Sequence, residues 1–455
     1  MAKGFDYQYI VIGSGAAGSA GALLAASIGV KTAIVEADRW GGTTLNYRDI
    51  PYQAALGFAQ RYAEAVAGAR FGMSSANLRY NYPSLLNWQA AAVRRAGGGK
   101  RKLFEESGVD CYHGFAQFIS PHEIAVDGKQ ISGEKFLLAT GSELAVSGIA
   151  GIEAVNCWSP DTALRMSKVP KAVMVVGGGS TGCEIAEYFS ALGSQVLITE
   201  AQDRLLPRED KEAGDAIAEH LHKRFQVQVL TSSRVIALAE EGKDKKVIFV
   251  RGGQEKSVKV EAVVLATTPE PSVDYGLENA GVKYTPGGVE VNDNLRTTCP
   301  HIYAAGDILG GESSTERATY EAKLATTNAL KKSNGVINYA GFARMTDTLP
   351  KVAKVGFNEA DCARLGFKFK SALMPIESVS AANTNDFRTG FVKILADVRG
   401  QILGTTVVCP NADLVVQEIA LAMRNALKVE ELAATPHVAT SWSEAVRLCA
   451  RELAA

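Results

Sequence analysis

Tyr9-Ile10-Val11-Ile12 leads into Gly13-Ser14-Gly15-Ala16-Ala17-Gly18, and after an alanine-rich stretch the chain continues as Lys31-Thr32-Ala33-Ile34-Val35-Glu36. That order reads as a buried strand, a glycine turn, a helix and a second strand, one complete βαβ unit. A strand covered on both faces carries a continuous apolar run rather than an alternation. Gly13 and Gly15 permit a tight turn and let backbone N–H groups approach a pyrophosphate. Gly18 lets helix and strand pack closely, and the helix N-terminus offers favourable potential to phosphates. Glu36 stands where it can accept hydrogen bonds from a ribose diol. With 44 glycines in the chain, the glycine spacing alone carries little weight. The strands, helix and acid around it make it a dinucleotide-binding fingerprint.

The pattern recurs. Ala172-Val173-Met174-Val175-Val176 precedes Gly177-Gly178-Gly179-Ser180-Thr181-Gly182, a helix through Leu192, the strand Gln195–Thr199 and Glu200. Gly177, Gly179 and Gly182 repeat the three glycine roles. A carboxylate at Glu200 accepts from both ribose hydroxyls and repels a 2′-phosphate, which favours NADH over NADPH. Arg204, four positions on, reads as a surface residue. Two such sites suit a protein that passes electrons between two dinucleotides.

Composition narrows the partners. The 455 residues exceed one ordinary core, so several domains are expected. Lys and Arg number 48 against 49 acidic residues, leaving no bulk field to recruit nucleic acid or an anionic membrane. Neither is expected as a partner. Cysteines at 111, 157, 183, 299, 362, 409 and 449 are scattered and free of C-x-x-C spacing, the usage of reduced thiols in a cytoplasmic protein. Tyr7 to Val30 carries no charge, yet its Gly and Ser content fits a buried strand–turn–helix better than a membrane span.

Gly41-Gly42-Thr43-Thr44-Leu45-Asn46-Tyr47-Arg48-Asp49-Ile50-Pro51-Tyr52-Gln53 follows the first fingerprint. It resembles the G-G-T-C-x-N-x-G-C-I-P-S-K segment of the pyridine nucleotide-disulfide oxidoreductases, and the resemblance runs essentially the full length of the chain. Thr297 to Asp307 resembles the family's second flavin motif, Phe136 to Gly141 its crossover strand and Val263 to Thr268 the returning one. The resemblance implies an α/β fold with two Rossmann-like dinucleotide-binding domains and a C-terminal α+β dimerisation domain. FAD would occupy residues 1–149 and 268–337, NAD(H) residues 150–267, and residues 338–455 would form a homodimer interface. In the last segment, strands at Phe391–Ala396 and Gln401–Val408 and a helix over Asp413–Leu427 are expected. Asp307 inherits the ribityl-binding role, and Gly42, Thr43, Thr140, Gly141 and Gly306 join it on the cofactor side.

The departures from the family are concentrated around its reactive groups. Thr44 and Asp49 stand where it carries two thiols, and neither a hydroxyl nor a carboxylate can replace an attacking thiolate. Gln53 stands at its flavin-side lysine, whereas that lysine's acidic partner remains as Glu184. Near the C-terminus its H-P-T-x-S-E segment reads Ala439-Thr440-Ser441-Trp442-Ser443-Glu444, keeping the glutamate and losing the histidine. His437, two positions earlier, is either a shifted acid/base or a structural or solvent-facing histidine. Asp49, Glu184, His437 and Glu444 are therefore the candidate catalytic residues. His220 and His222 face different ways on a helix, and no histidine spacing suggests a metal.

Three functions fit these residues. The first is an FAD-dependent oxidation of NADH with electrons leaving to a quinone, dye, dioxygen or another protein. The second is dehydrogenation of a small substrate whose proton goes to Asp49 or Tyr47. The third is a flavin-containing assembly or regulatory subunit without turnover.

Overall fold

The computed structural model describes residues 4–74, 77–97, 99–144, 148–311, 314–331 and 333–455. The chain forms two compact units. One comprises Met1–Ala54, Ser84–Ala145 and Thr268–Tyr339; the other comprises Ala55–Pro83, Val146–Thr267 and Ala340–Ala455. Residues 55–83 thus cluster with the second unit, although they lie in the segment that the sequence reading gives to FAD.

The first unit is built on a parallel sheet in the order Val109–His113, Thr32–Glu36, Tyr7–Ile12, Lys129–Leu138 and Ile302–Ala304. Five of the six residues of Tyr7–Ile12, and all five of Thr32–Glu36, are buried, as strands covered on both faces require. The helices Ala16–Ser27 and Thr315–Lys331 lie on one face and share a core with Tyr9, Val11 and Leu137. Small residues make that closeness possible, since a Cβ on Gly21 would press on Leu137 Cδ2 at 2.5 Å. The charge-free Tyr7–Val30 segment is the first strand and first helix of this unit. Among the described residues, no helix is long and apolar enough to cross a membrane.

The second unit repeats the plan in Gln228–Leu230, Gln195–Thr199, Ala172–Val176 and Ala262–Leu265, all parallel. The helix Ser180–Ala191 follows its glycine turn. An antiparallel excursion, Ser233–Glu241, Asp244–Arg251 and Gln254–Val260, interrupts the repeat before the last strand. The C-terminal part is a five-stranded antiparallel sheet ordered Ala343–Thr346, Lys351–Gly356, Ile402–Cys409, Phe391–Asp397 and Phe369–Pro375. Helices Ala412–Arg424 and Glu444–Ala454 bury Val415, Ile419, Val446 and Cys449 against Val392, Ile394 and Val407 of that sheet. The first of these helices stops before the expected Leu427 because Ala426 adopts a left-handed conformation with φ of 55°.

Candidate functional site

In the first unit each fingerprint glycine has its own reason. Gly13 is left-handed at φ of 98°, and a Cβ there would overlap the Ala139 carbonyl. A Cβ on Gly18 would overlap the Gly13 carbonyl. Gly15 is different: nothing lies within 4 Å of the place its Cβ would take. It precedes the helix Ala16–Ser27, whose N-terminus no side chain caps. Unfilled space before an uncapped helix N-terminus is what a pyrophosphate needs.

Glu36 is buried at the edge of this space. Its Oε2 accepts both the Ser14 N–H, at 2.9 Å, and the Ser14 hydroxyl, while Oε1 accepts the Asp38 N–H at 2.8 Å and keeps further acceptor capacity for a ribose diol. Gly42 packs so closely that its Cβ would meet Gly15 Cα at 2.5 Å, and the Gly41 N–H donates to Ser14 Oγ at 2.9 Å. Thr43 is exposed beside it. Asp307 accepts from Ser142 Oγ at 3.1 Å, and Thr140 Oγ1 donates to the Ser272 carbonyl at 2.8 Å beside Gly141. The Gly306 N–H is held by the fully buried Glu321 at 2.8 Å, which also receives Arg317 Nε at 2.6 Å and the Tyr339 hydroxyl. These residues fit a flavin dinucleotide.

The second unit mirrors the cradle. Cβ atoms on Gly177 and Gly182 would overlap the Ala266 and Gly177 carbonyls, whereas Gly179 has nothing within 4 Å. Glu200 accepts the Gly178 N–H and the Gln202 N–H, both at 2.8 Å. Both glutamates thus accept one N–H from the glycine turn and one from the residue two positions further on. Arg204 turns to Asp203 at 3.2 Å and to the Pro207 carbonyl at 3.3 Å.

Thr44 lies in the short helix Gly42–Asn46, and Asp49 starts the helix Asp49–Val66. A residue that sequence reasoning did not single out joins them. Thr315 Oγ1 donates to Asp49 Oδ2 at 2.6 Å and lies 3.0 Å from Thr44 Oγ1, so the Thr44 hydroxyl donates to it. The two positions are bridged by a hydroxyl. Burial is the main cause that lifts the Asp49 carboxyl above the usual range; the Thr315 hydrogen bond and Arg48 oppose it, and Glu316 adds to it. Thr44 borders a cavity of about 640 Å³ walled by Ala20, Leu23, Leu24, Leu45 and Ile50, with Lys100 and Lys323 also lining it.

In the second unit Glu184 is buried and accepts the Asp347 N–H at 2.6 Å. His437 and Glu444 are not bonded to each other. His437 places Nε2 2.9 Å from Glu418 Oε2 and Nδ1 2.9 Å from the Thr435 carbonyl, while Glu444 accepts from Arg447 Nη2 at 2.7 Å. Glu418 lies on the helix Ala412–Arg424, and no sequence spacing announces that pairing. His220 is buried and His222 exposed, as opposite faces of their helix demand.

Residues 7–322 match the model of the pyridine nucleotide-disulphide oxidoreductases, and residues 342–450 match the dimerisation domain of the same family. The chain is 30% identical over 454 residues to a dihydrolipoyl dehydrogenase of Thermus scotoductus, covering 98% of this chain and 97% of that one. It is 29% identical over 448 residues to a mercuric reductase of Bacillus cereus, covering 98% and 71%. In fold it is similar to the crystal structure of LpdA from Mycobacterium tuberculosis, with a TM-score of 0.88 at 24% identity over 98% of this chain and 99% of that one. The HOCl-induced flavoprotein disulfide reductase RclA from Escherichia coli gives 0.86 at 23% identity with the same coverage.

Proposed function

The chain belongs to the pyridine nucleotide-disulphide oxidoreductase family and is an oxidoreductase that uses FAD and NAD(H); from that premise we propose that it oxidises NADH and passes the electrons to an acceptor other than a disulfide. The observation that carries this reading is the Thr44–Thr315–Asp49 chain, which puts hydroxyls and a carboxylate where the resemblance places thiols. When bound, NADH supplies a hydride and FAD the ring that takes it up. Gly15, Glu36 and Asp307 hold the flavin dinucleotide, and Gly179 and Glu200 hold NADH. Glu184 is the acid on the nicotinamide side. Residues 1–149 and 268–337 are assigned to FAD, 150–267 to NAD(H), and 338–455 to the interface of a homodimer. The match of residues 342–450 to a dimerisation domain supports that last assignment.

The Thr44 cavity is the seat we assign to the acceptor. Its aliphatic walls favour a flat apolar molecule such as a quinone, and Lys100 and Lys323 favour an anionic substituent on it. Asp49 is not among the cavity's lining residues and is engaged by Thr315, which weighs against a substrate-dehydrogenating role with Asp49 as base. Under anaerobic conditions NADH is expected to bleach the flavin, and a quinone to restore it. Ala20→Phe, which fills the cavity, is expected to slow reoxidation by roughly tenfold while leaving reduction by NADH unchanged, the loss of about 1.4 kcal/mol of acceptor binding. Flavin that NADH does not bleach, or reoxidation indifferent to Ala20→Phe, overturns the reading.

Glu200 sets the expected coenzyme preference. A 2′-phosphate facing this carboxylate loses a few kcal/mol, on the order of a 100-fold preference for NADH in flavin reduction. Glu200→Ala is expected to narrow the gap. Faster reduction of the wild-type protein by NADPH would show that the acid has another role.

A further inference from the structure

The helix Ser180–Ala191 presents Ser180, Glu184 and Glu187 along one face, because residues three and four apart are neighbours on a helix. Three residues of the strap Thr346–Pro350 dock on them. Thr346 Oγ1 donates to Ser180 Oγ at 2.7 Å, the Asp347 N–H to Glu184 Oε1 at 2.6 Å, and the Leu349 N–H to Glu187 Oε2 at 3.0 Å. Gln60 Nε2 secures the strap by donating to the Asp347 carbonyl at 2.8 Å. Glu187 is 3% exposed, although nothing in the proposed chemistry uses it. A buried acid in the apolar run Ile185-Ala186-Glu187-Tyr188-Phe189 calls for a reason, since burying a carboxyl is unfavourable unless its bonds are needed.

We propose that Glu187 is a positioning residue for Glu184: its carboxyl seats the strap whose Asp347 N–H fixes the Glu184 carboxylate, and its ionisation loosens that seat. The charged and titratable groups around it make the second half of the inference specific. Glu184 lies one turn away on the same helix. His220 faces it from the helix Lys211–Phe225, with Nε2 3.8 Å from Glu187 Oε2. Arg224 of that helix is paired to Glu64, and Asp347 of the strap is paired to Lys351 at 2.9 Å. Three acids therefore share a buried face whose nearby cations already have partners.

Burial pushes Glu187 up to about 8; the Leu349 N–H and Arg224 oppose the shift, and Asp347 adds to it. Burial and Arg224 push His220 down to about 3, so it stays neutral. Glu187 is thus protonated at neutral pH in the seated strap, while in an opened strap an ordinary carboxyl would ionise. Because the seated state binds the extra proton, seating weakens as pH rises from the ordinary carboxyl range to about 8 and is level above it.

The inference rests on the reading of Glu184 as the nicotinamide-side acid, so the test has two independent readouts on the FAD-loaded protein. The first is hydrogen exchange of the Asp347 and Leu349 amides, corrected for intrinsic rates, between pH 6 and 9. Wild-type protection should fall with pH and level off near 8. Glu187→Gln, which keeps an acceptor and cannot ionise, should give a flat profile. Glu187→Leu should raise exchange at both amides about tenfold or more, the loss of one buried hydrogen bond. Unchanged exchange in Glu187→Leu, or a wild-type pH slope in Glu187→Gln, overturns the proposal. The second readout is the single-turnover rate of flavin reduction by NADH. If exchange changes as expected and this rate does not, Glu187 still positions the strap, and the reading of Glu184 is what fails.

Discussion

No reduction of lipoamide, glutathione disulfide or thioredoxin above background is the expected result when the FAD-loaded protein is supplied with NADH. Partial reduction should likewise produce no thiolate–flavin charge-transfer band. Exchange requires a thiolate that attacks sulfur, and this chain has no thiol at Thr44 or Asp49 to form one. Its seven cysteines do not substitute. Burial is the first cause that raises every one of them: Cys111 is pushed up to about 11, Cys409 and Cys449 to about 12, and Cys157, Cys183, Cys299 and Cys362 in the same direction. A thiol with a pKa near 11 is only about one part in 10⁴ thiolate at pH 7. Thr44→Cys with Asp49→Cys should restore the band with little turnover. Thr315 would lose its carboxylate acceptor, and Ala439 offers no proton transfer. NADH-dependent lipoamide turnover by the wild-type protein would sink the proposal of a non-disulfide acceptor.

The parts of the molecule legible in its sequence are those fixed by local backbone chemistry. Gly13, Gly18, Gly177 and Gly182 each face a carbonyl that excludes a Cβ, and such positions announce themselves in one dimension. The strand Ala172–Val176, the strand Gln195–Thr199 and the hairpin around Arg399-Gly400 lie where periodicity and turn chemistry put them. Illegible were the contacts between distant segments. Thr315 meets Asp49 across 266 positions, and Asp347 meets Glu184 across 163. Each depends on packing that no local pattern encodes. His437 illustrates the limit most clearly. Reading along the chain leaves it either a shifted acid/base or a histidine with a structural or solvent-facing place and names no partner for it, whereas the helix Ala412–Arg424 brings Glu418 to it and Arg447 bonds Glu444. Glu187 was legible in principle, as an acid inside the apolar run Ile185 to Phe189, and its meaning became visible only with the strap in place.

The same substitution at neighbouring glycines is expected to give opposite phenotypes. At Gly179 the backbone is extended at φ of −72° and nothing lies within 4 Å of a new Cβ, so Gly179→Ala should fold, bind FAD and lose no more than about 1 kcal/mol at the helix cap. What it loses is NADH. A methyl group in the space where the pyrophosphate must approach the helix N-terminus removes charge-assisted hydrogen bonds worth about 1.5–3 kcal/mol each. Two such bonds correspond to at least about a 100-fold rise in Kd. Gly182→Ala drives its Cβ into the Gly177 carbonyl, where only a backbone shift can relieve the overlap. It should destabilise the second unit by about 3 kcal/mol or more and lower its melting temperature whether or not NADH is present. Gly15→Ala and Gly18→Ala should repeat the contrast in the first unit, with FAD as the lost ligand. Calorimetry with NADH and FAD titrations separates the two effects. If Gly179→Ala binds NADH as the wild type does, the open space beside Gly179 is not the pyrophosphate cradle, and the assignment of NADH to Gly179 and Glu200 falls with it.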